Sequence, residues 1–129
     1  MSTASTTTSL DKTAIVLFAH GARDERWKEP FLKLQAIIKK NNPSQRVELA
    51  FLELMTPALP ELIDSLVAEG CLEILVIPVF FGQGGHMRRD FPAILAACQG
   101  KHPQVRLGAK AAVGEDIGVL EAIAKYCAN

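Results

Sequence analysis

The sequence predicts an α/β fold of three layers, with helices flanking a four-stranded parallel sheet in the order 2-1-3-4. Two observations lead there. Apolar runs alternate with amphipathic helical patterns along the chain, which gives four βα units. The runs also differ in kind. "TAIVLFA" and "EILVIPVFF" are almost continuously apolar, as in central strands covered by helices on both sides. "RVELAFLE" and "VRLGAK" carry polar residues in alternation, which suits edges. With right-handed crossovers, strands 1 and 3 take the centre. The result is a flavodoxin-like half.

Each element has its own signals. The first strand is the run from Thr13 to Ala19. Trp27, Phe31, Leu34 and Ile38 then recur at helical spacing until Asn41, Asn42 and Pro43 end the helix. Leu59, Leu62, Ile63, Leu66 and Val67 form a second helical stripe, with Thr56-Pro57 as N-cap and first-turn proline and Gly70 at its close. A third helix is expected from about Asp90 to Gln99, stopping at Gly100. A fourth runs from about Glu115 to Cys127, with Leu120, Ile123 and Cys127 on one face.

Residues 1–12, "MSTASTTTSLDK", are rich in Ser and Thr and lack the basic start and apolar stretch of a secretory signal. They read as a disordered tail, leaving 13–129 as a single domain. A chain of 129 residues can bury roughly two-thirds of its unfolded surface in one core. Lys plus Arg and Asp plus Glu each number 14, which argues against bulk attraction to nucleic acid or a membrane surface. The apolar stretch around Ile74 to Phe81 is interrupted by Pro78 and too short to span a bilayer. Cys71, Cys98 and Cys127 lie far apart with no C-x-x-C pair, so they are expected as small core residues in a reducing cytosol. A soluble, cytoplasmic protein is expected.

In a sheet of this order, ligands bind beyond the carboxyl ends of the strands where strand order reverses, here between strands 1 and 3. His20 ends strand 1, and His86 lies in "FGQGGHMRRD" after strand 3. Glu53 ends strand 2. The three are equally spaced, 33 residues apart, so all fall on one edge of the sheet. Two imidazoles and a carboxylate suit a borderline divalent ion and could equally act as bases. Gly82, Gly84 and Gly85 leave room for a large flat ligand, while Arg23, Lys28, Arg88 and Arg89 could receive its carboxylates.

Each feature also has a plainer reading. A lone strand-end histidine is commonly a hydrogen-bonded structural residue, and paired arginines are commonly solvated surface. Glu53 has Glu48 and Glu61 nearby, and a one-residue slip would turn it away. His102, in "GKHPQV", is expected to be solvated. The glycines match neither the P-loop nor the dinucleotide fingerprint.

"FAHGARDERW", "AFLELMTPALPE" and "IPVFFGQGGHMRRDFP" together resemble the short sirohydrochlorin cobaltochelatases of the CbiX family and the related siroheme ferrochelatases, which are class II chelatases. The resemblance runs from about Ala14 to Ala128 and implies a chelatase-like domain. It also implies insertion of a divalent metal, Co²⁺ first with Fe²⁺ or Ni²⁺ also compatible, into sirohydrochlorin during cobalamin or siroheme synthesis. His20 and His86 match the family's active-site histidines and Glu53 its acidic residue on strand 2, as catalytic and metal-binding groups. Arg23, Arg88, Arg89, Gly84 and Gly85 are the expected substrate contacts. Ala22 stands where serine is commoner. No permanent cofactor is implied, because the metal is a substrate. Other chelatases of this class have two fused halves, so a homodimer is expected.

Two other functions fit parts of the pattern. A phosphoryl-transfer enzyme of the phosphoglycerate mutase type also uses a strand-end His-Gly, although there the histidine follows an arginine and here it follows Ala19. A non-catalytic module that stores metal or tetrapyrrole would use the same crevice.

Overall fold

A computed structural model describes residues 12–82 and 84–128, with the His86 side chain also outside the described residues. Four strands form one parallel sheet: β1 (Thr13–Ala19), β2 (Val47–Phe51), β3 (Glu73–Pro78) and β4 (Arg106–Ala109), ordered β2-β1-β3-β4. The predicted order is the one found. Four helices connect and follow them: α1 (Glu29–Asn41), α2 (Leu59–Ala68), α3 (Gly85–Lys101) and α4 (Ile117–Ala128). Residues 1–11 of the expected tail lie outside the described residues. The Lys12 carbonyl already accepts hydrogen bonds from the Leu72 and Glu73 amides.

One face of the sheet carries the main core. Ala14, Val16 and Phe18 of β1 register with Ile74, Val76 and Pro78 of β3. Leu59, Ile63 and Leu66 of α2 and Met87, Phe91 and Cys98 of α3 pack over that face. Phe18, fully buried, stacks on Phe91 with ring centroids 5.2 Å apart and meets Phe80 edge-on at 6.2 Å. Burying one such ring contributes about 2–3 kcal/mol. It also fixes the helix that follows β3 against the strand that precedes His20.

The opposite face is covered unevenly, which corrects the expectation of central strands sheltered on both sides. A 3-10 turn (Glu25–Lys28) and α1 lay Trp27 and Phe31 against Phe51 and Ala19, and the Gln35 side-chain amide donates to the Val47 carbonyl at 2.6 Å. That covers the β2 side. On β3, Leu75 and Ile77 are only half-buried, because α4 places no buried residue on them.

Several boundaries differ from the sequence expectations. The cap of α2 is Ala58 and its first-turn proline is Pro60, while Thr56-Pro57 forms a cis peptide in the preceding turn. Helix α3 starts at Gly85, five residues before the expected Asp90, contains Pro92, and runs through Gly100, its expected stop, to Lys101. Gly84, Gly85 and Pro92 are poor helix formers, but burial of Met87 and Phe91, four residues apart, outweighs local propensity. Asp116 caps α4 by accepting from the Val119 amide at 3.1 Å, so the helix begins at Ile117. Cys71 and Cys98 are buried as expected. Cys127 is exposed on α4, where none of the expected apolar face of Leu120, Ile123 and Cys127 is buried by the described residues.

His102 is also not solvated. Its side chain is only 15% exposed and its Nε2 lies 2.7 Å from Asp64 Oδ1, because the turn closing α3 bends it back onto α2. No helix among the described residues is long and apolar enough to cross a membrane.

Candidate active site

At the carboxyl end of the sheet the parallel ladder outlasts the strands. The Leu52 amide donates to the Ala19 carbonyl at 2.9 Å, and the Glu53 amide to the His20 carbonyl at 3.1 Å. His20 and Glu53 are therefore held side by side by the backbone itself. Between them Gly21 adopts φ +102°, and a Cβ there would stand 1.8 Å from the Glu53 carbonyl oxygen. Only glycine allows that approach. On the far side of Glu53, Leu54 turns the chain with φ +67°, in the left-handed region that side chains rarely adopt.

The outcome is a His20 Nε2 to Glu53 Oε2 distance of 3.9 Å, with both side chains more than half exposed. This is longer than a hydrogen bond. Two ligands of one tetrahedral ion, each about 2.1 Å from the metal, would stand about 3.4 Å apart. A small rotation of either exposed side chain closes the difference.

His20 and Glu53 line a cleft of about 140 Å³ together with Leu52, Gly84, Met87 and Asp90. Gly84 caps α3 and Gly85 opens it, so the two glycines belong to the helix start rather than to a loop. A Cβ at Gly82, Gly84 or Gly85 would meet nothing within 4 Å among the described residues. His86 falls in the first turn of α3 by its backbone, and its side chain lies outside the described residues. Among the described residues, no three His, Cys, Asp or Glu side chains are grouped closely enough to hold a metal ion together.

The basic residues divide. Arg23, Arg88 and Arg89 are exposed and lie within three residues of His20 or of position 86 in the sequence. Lys28 instead lies with its Nζ 5.6 Å from the centre of the Phe51 ring and 3.5 Å from Glu25. That placement ties it to the packing of the 3-10 turn. Asp90 also lines this cleft, a placement the sequence did not predict. Its signal is its position four residues after His86, which has meaning only once the helix is known to begin at Gly85.

The profile of the CbiX family matches residues 14–128. The chain belongs to the CbiX family. Its curated relatives include a sirohydrochlorin cobaltochelatase of Methanococcus aeolicus, 39% identical over 82 residues, which covers 64% of this chain and 57% of the relative. Another, of Methanocaldococcus jannaschii, is 34% identical over 89 residues, covering 69% of this chain and 62% of that one. The aligned part thus spans about three-fifths of each relative's length. Among solved structures, a CbiX protein assigned to cobalamin biosynthesis from Marinobacter aquaeolei superposes with a TM-score of 0.79 at 28% identity, over 89% of this chain and 93% of that chain. The sirohydrochlorin chelatase SirB of Bacillus subtilis subspecies spizizenii, solved with cobalt, gives 0.75 at 24% identity over 90% of this chain but only 50% of its own. With SirB the likeness is one of fold: this CbiX domain corresponds to about half of that chain.

Proposed function

We propose that this protein is a chelatase that inserts a divalent metal ion, cobalt first and iron or nickel as alternatives, into sirohydrochlorin. The observation that carries the reading is the His20–Glu53 pair, held by the backbone ladder in an open cleft of a domain that belongs to the CbiX family.

Metallation requires two pyrrole N–H protons to leave the ring as a partly dehydrated ion enters it. One nitrogen cannot hold metal and proton at once. In the proposed division of labour, His20 and His86 present neutral imidazoles to the ion and accept pyrrole protons as it transfers, and Glu53 orients His20 or takes the proton onward. The exposure of His20 and Glu53 suits an ion in transit, since a closed ligand cage would retain it. Arg23, Arg88 and Arg89 receive the carboxylates of the ring, and the open backbone at Gly84 and Gly85 lets its flat face approach.

The working form in this reading is a cytoplasmic homodimer. Helix α4 supports it: Ile117 and Tyr126 are 69% and 81% exposed, and a hollow of about 440 Å³ lined by Ile77, Val113 and Val119 opens at its base. A second copy of the chain would cover both.

The test follows the absorbance change of sirohydrochlorin with Co²⁺, Fe²⁺ and Ni²⁺ under anaerobic conditions. Multiple turnovers above the spontaneous rate are expected for the wild type, with losses of at least about a hundredfold in folded His20→Ala and His86→Ala. Stoichiometric binding without turnover would leave a storage module instead.

A further inference from the structure

Folding leaves two large apolar side chains exposed where the sheet ends. Leu54 and Phe81 are 57% and 65% exposed, and each comes three residues after its strand, β2 for Leu54 and β3 for Phe81. Strand β1, which leads into His20, lies between those two. The strand ends on either side of it stand about 10 Å apart, a span comparable to a tetrapyrrole macrocycle. Neither exposed residue sits on slack chain. The Glu53 amide is bonded to the His20 carbonyl and Met55 is buried against Ala19 and Phe51, so Leu54 is fixed between two anchored neighbours. It holds φ +67° there. Glycine or asparagine would take that conformation with less strain, and neither would expose an apolar side chain to water. Phe80 meets Phe18 in the core, and Gly114 packs so close to Phe81 that a Cβ would stand 1.8 Å from the Phe81 carbonyl oxygen. Phe81 is therefore exposed on a braced backbone.

We propose that Leu54 and Phe81 form an apolar platform for the face of the tetrapyrrole, one on each side of the strand end that carries His20; this rests on the chelatase reading above. The cleft of His20 and Glu53, at about 140 Å³, is smaller than the roughly 300–1,000 Å³ that organic ligands of ordinary size occupy. The ring cannot enter it and lies across its mouth, on residues at the carboxyl edge of the sheet. Such a ring presents two surfaces, a flat conjugated face that gains by leaving water and a rim of carboxylates. Leucine and phenylalanine suit the face, through burial and, for Phe81, through stacking. Cations suit the rim. Exposed Arg23 and Arg89 make no ion pair among the described residues, so their charges are available to it. The metal ion is not the occupant of the platform, because neither apolar side chain offers it a donor atom.

The test measures binding of metal-free sirohydrochlorin to the whole protein, through the change in the ring's absorbance. Leu54→Asn and Phe81→Gln are each expected to weaken it about tenfold, as the loss of one buried apolar contact does. Leu54→Met and Phe81→Leu keep an apolar surface and should retain most of the affinity. In turnover the two polar variants should raise the KM for sirohydrochlorin, with the KM for Co²⁺ and kcat at saturating ring near the wild type. Because both side chains are exposed, Tm should not fall, and Leu54→Asn should match or exceed the wild type, since asparagine accepts a positive φ. Wild-type ring affinity in either polar variant would overturn the platform and leave the chelatase reading in place. A change of oligomeric state in those variants, seen by light scattering, would also overturn it and assign the patch to a second copy. A wild type that binds the ring through these residues but never turns over would leave the platform standing and remove the chelatase reading.

Discussion

Gly21 and Gly114 meet backbone where Gly84 meets open space. A Cβ on either of the first two would lie 1.8 Å from a carbonyl oxygen, that of Glu53 or that of Phe81. The Gly114 contact, with its amide donating to the Phe80 carbonyl at 3.2 Å, holds the segment that leads from β3 toward position 86. Gly21→Ala and Gly114→Ala should therefore each destabilise the fold by at least about 2 kcal/mol, measured by urea unfolding. Gly84→Ala should cost far less stability and, in the proposed reading, weaken sirohydrochlorin binding, because its Cβ would enter open space kept for the ligand. Equal stability losses in all three variants would remove Gly84 from the binding surface.

Helices α2 and α3 are joined at one end by a small charged cluster. Asp64 of α2 receives His102 at 2.7 Å and Lys101 at 2.9 Å. The His102 hydrogen bond first, and Lys101 second, hold the Asp64 carboxyl below the ordinary carboxylate range. A carboxyl lowered by folding stabilises the folded chain above about pH 4, and that contribution is lost as pH falls through the lowered value. The Tm of the wild type should accordingly drop more steeply than that of Asp64→Asn as pH is taken down to about 3. Parallel curves for the two proteins would show that the cluster is screened by solvent and contributes nothing.

Among the described residues the packing is lopsided: one sheet face is packed by two helices, and the other is covered beside β2. Leu75, Ile77 and the apolar side of α4 remain to be buried. Introducing charge there, as in the double variant Ile117→Glu, Tyr126→Glu, should weaken a dimer by at least about a hundredfold, since buried charges are costly. Light scattering would show a dimer in the wild type and a monomer in the variant. The exposed Cys127 provides a second reading, because its thiol should react slowly in the dimer and fast in the monomer. A wild type that is monomeric at working concentrations would place the whole reaction on one copy.

By itself the sequence determined the strand order, because the two most continuously apolar runs mark the central strands, although on β3 only one face proved fully buried. It also placed His20 and Glu53 on one edge, because both stand at strand ends and parallel strands bring their ends together. Only the tertiary structure decided the start of α3, the partnership of His102 with Asp64, the cis turn at Thr56-Pro57 and the place of Asp90 in the cleft. The start of α3 depends on Phe91 finding Phe18 across the core, a contact between residues 73 positions apart. No window of neighbouring residues contains that contact, and propensity near three glycines and a proline argues against it. The exposed face of α4 was illegible for the opposite reason. Its apolar stripe is written in the sequence, but none of the described residues buries it.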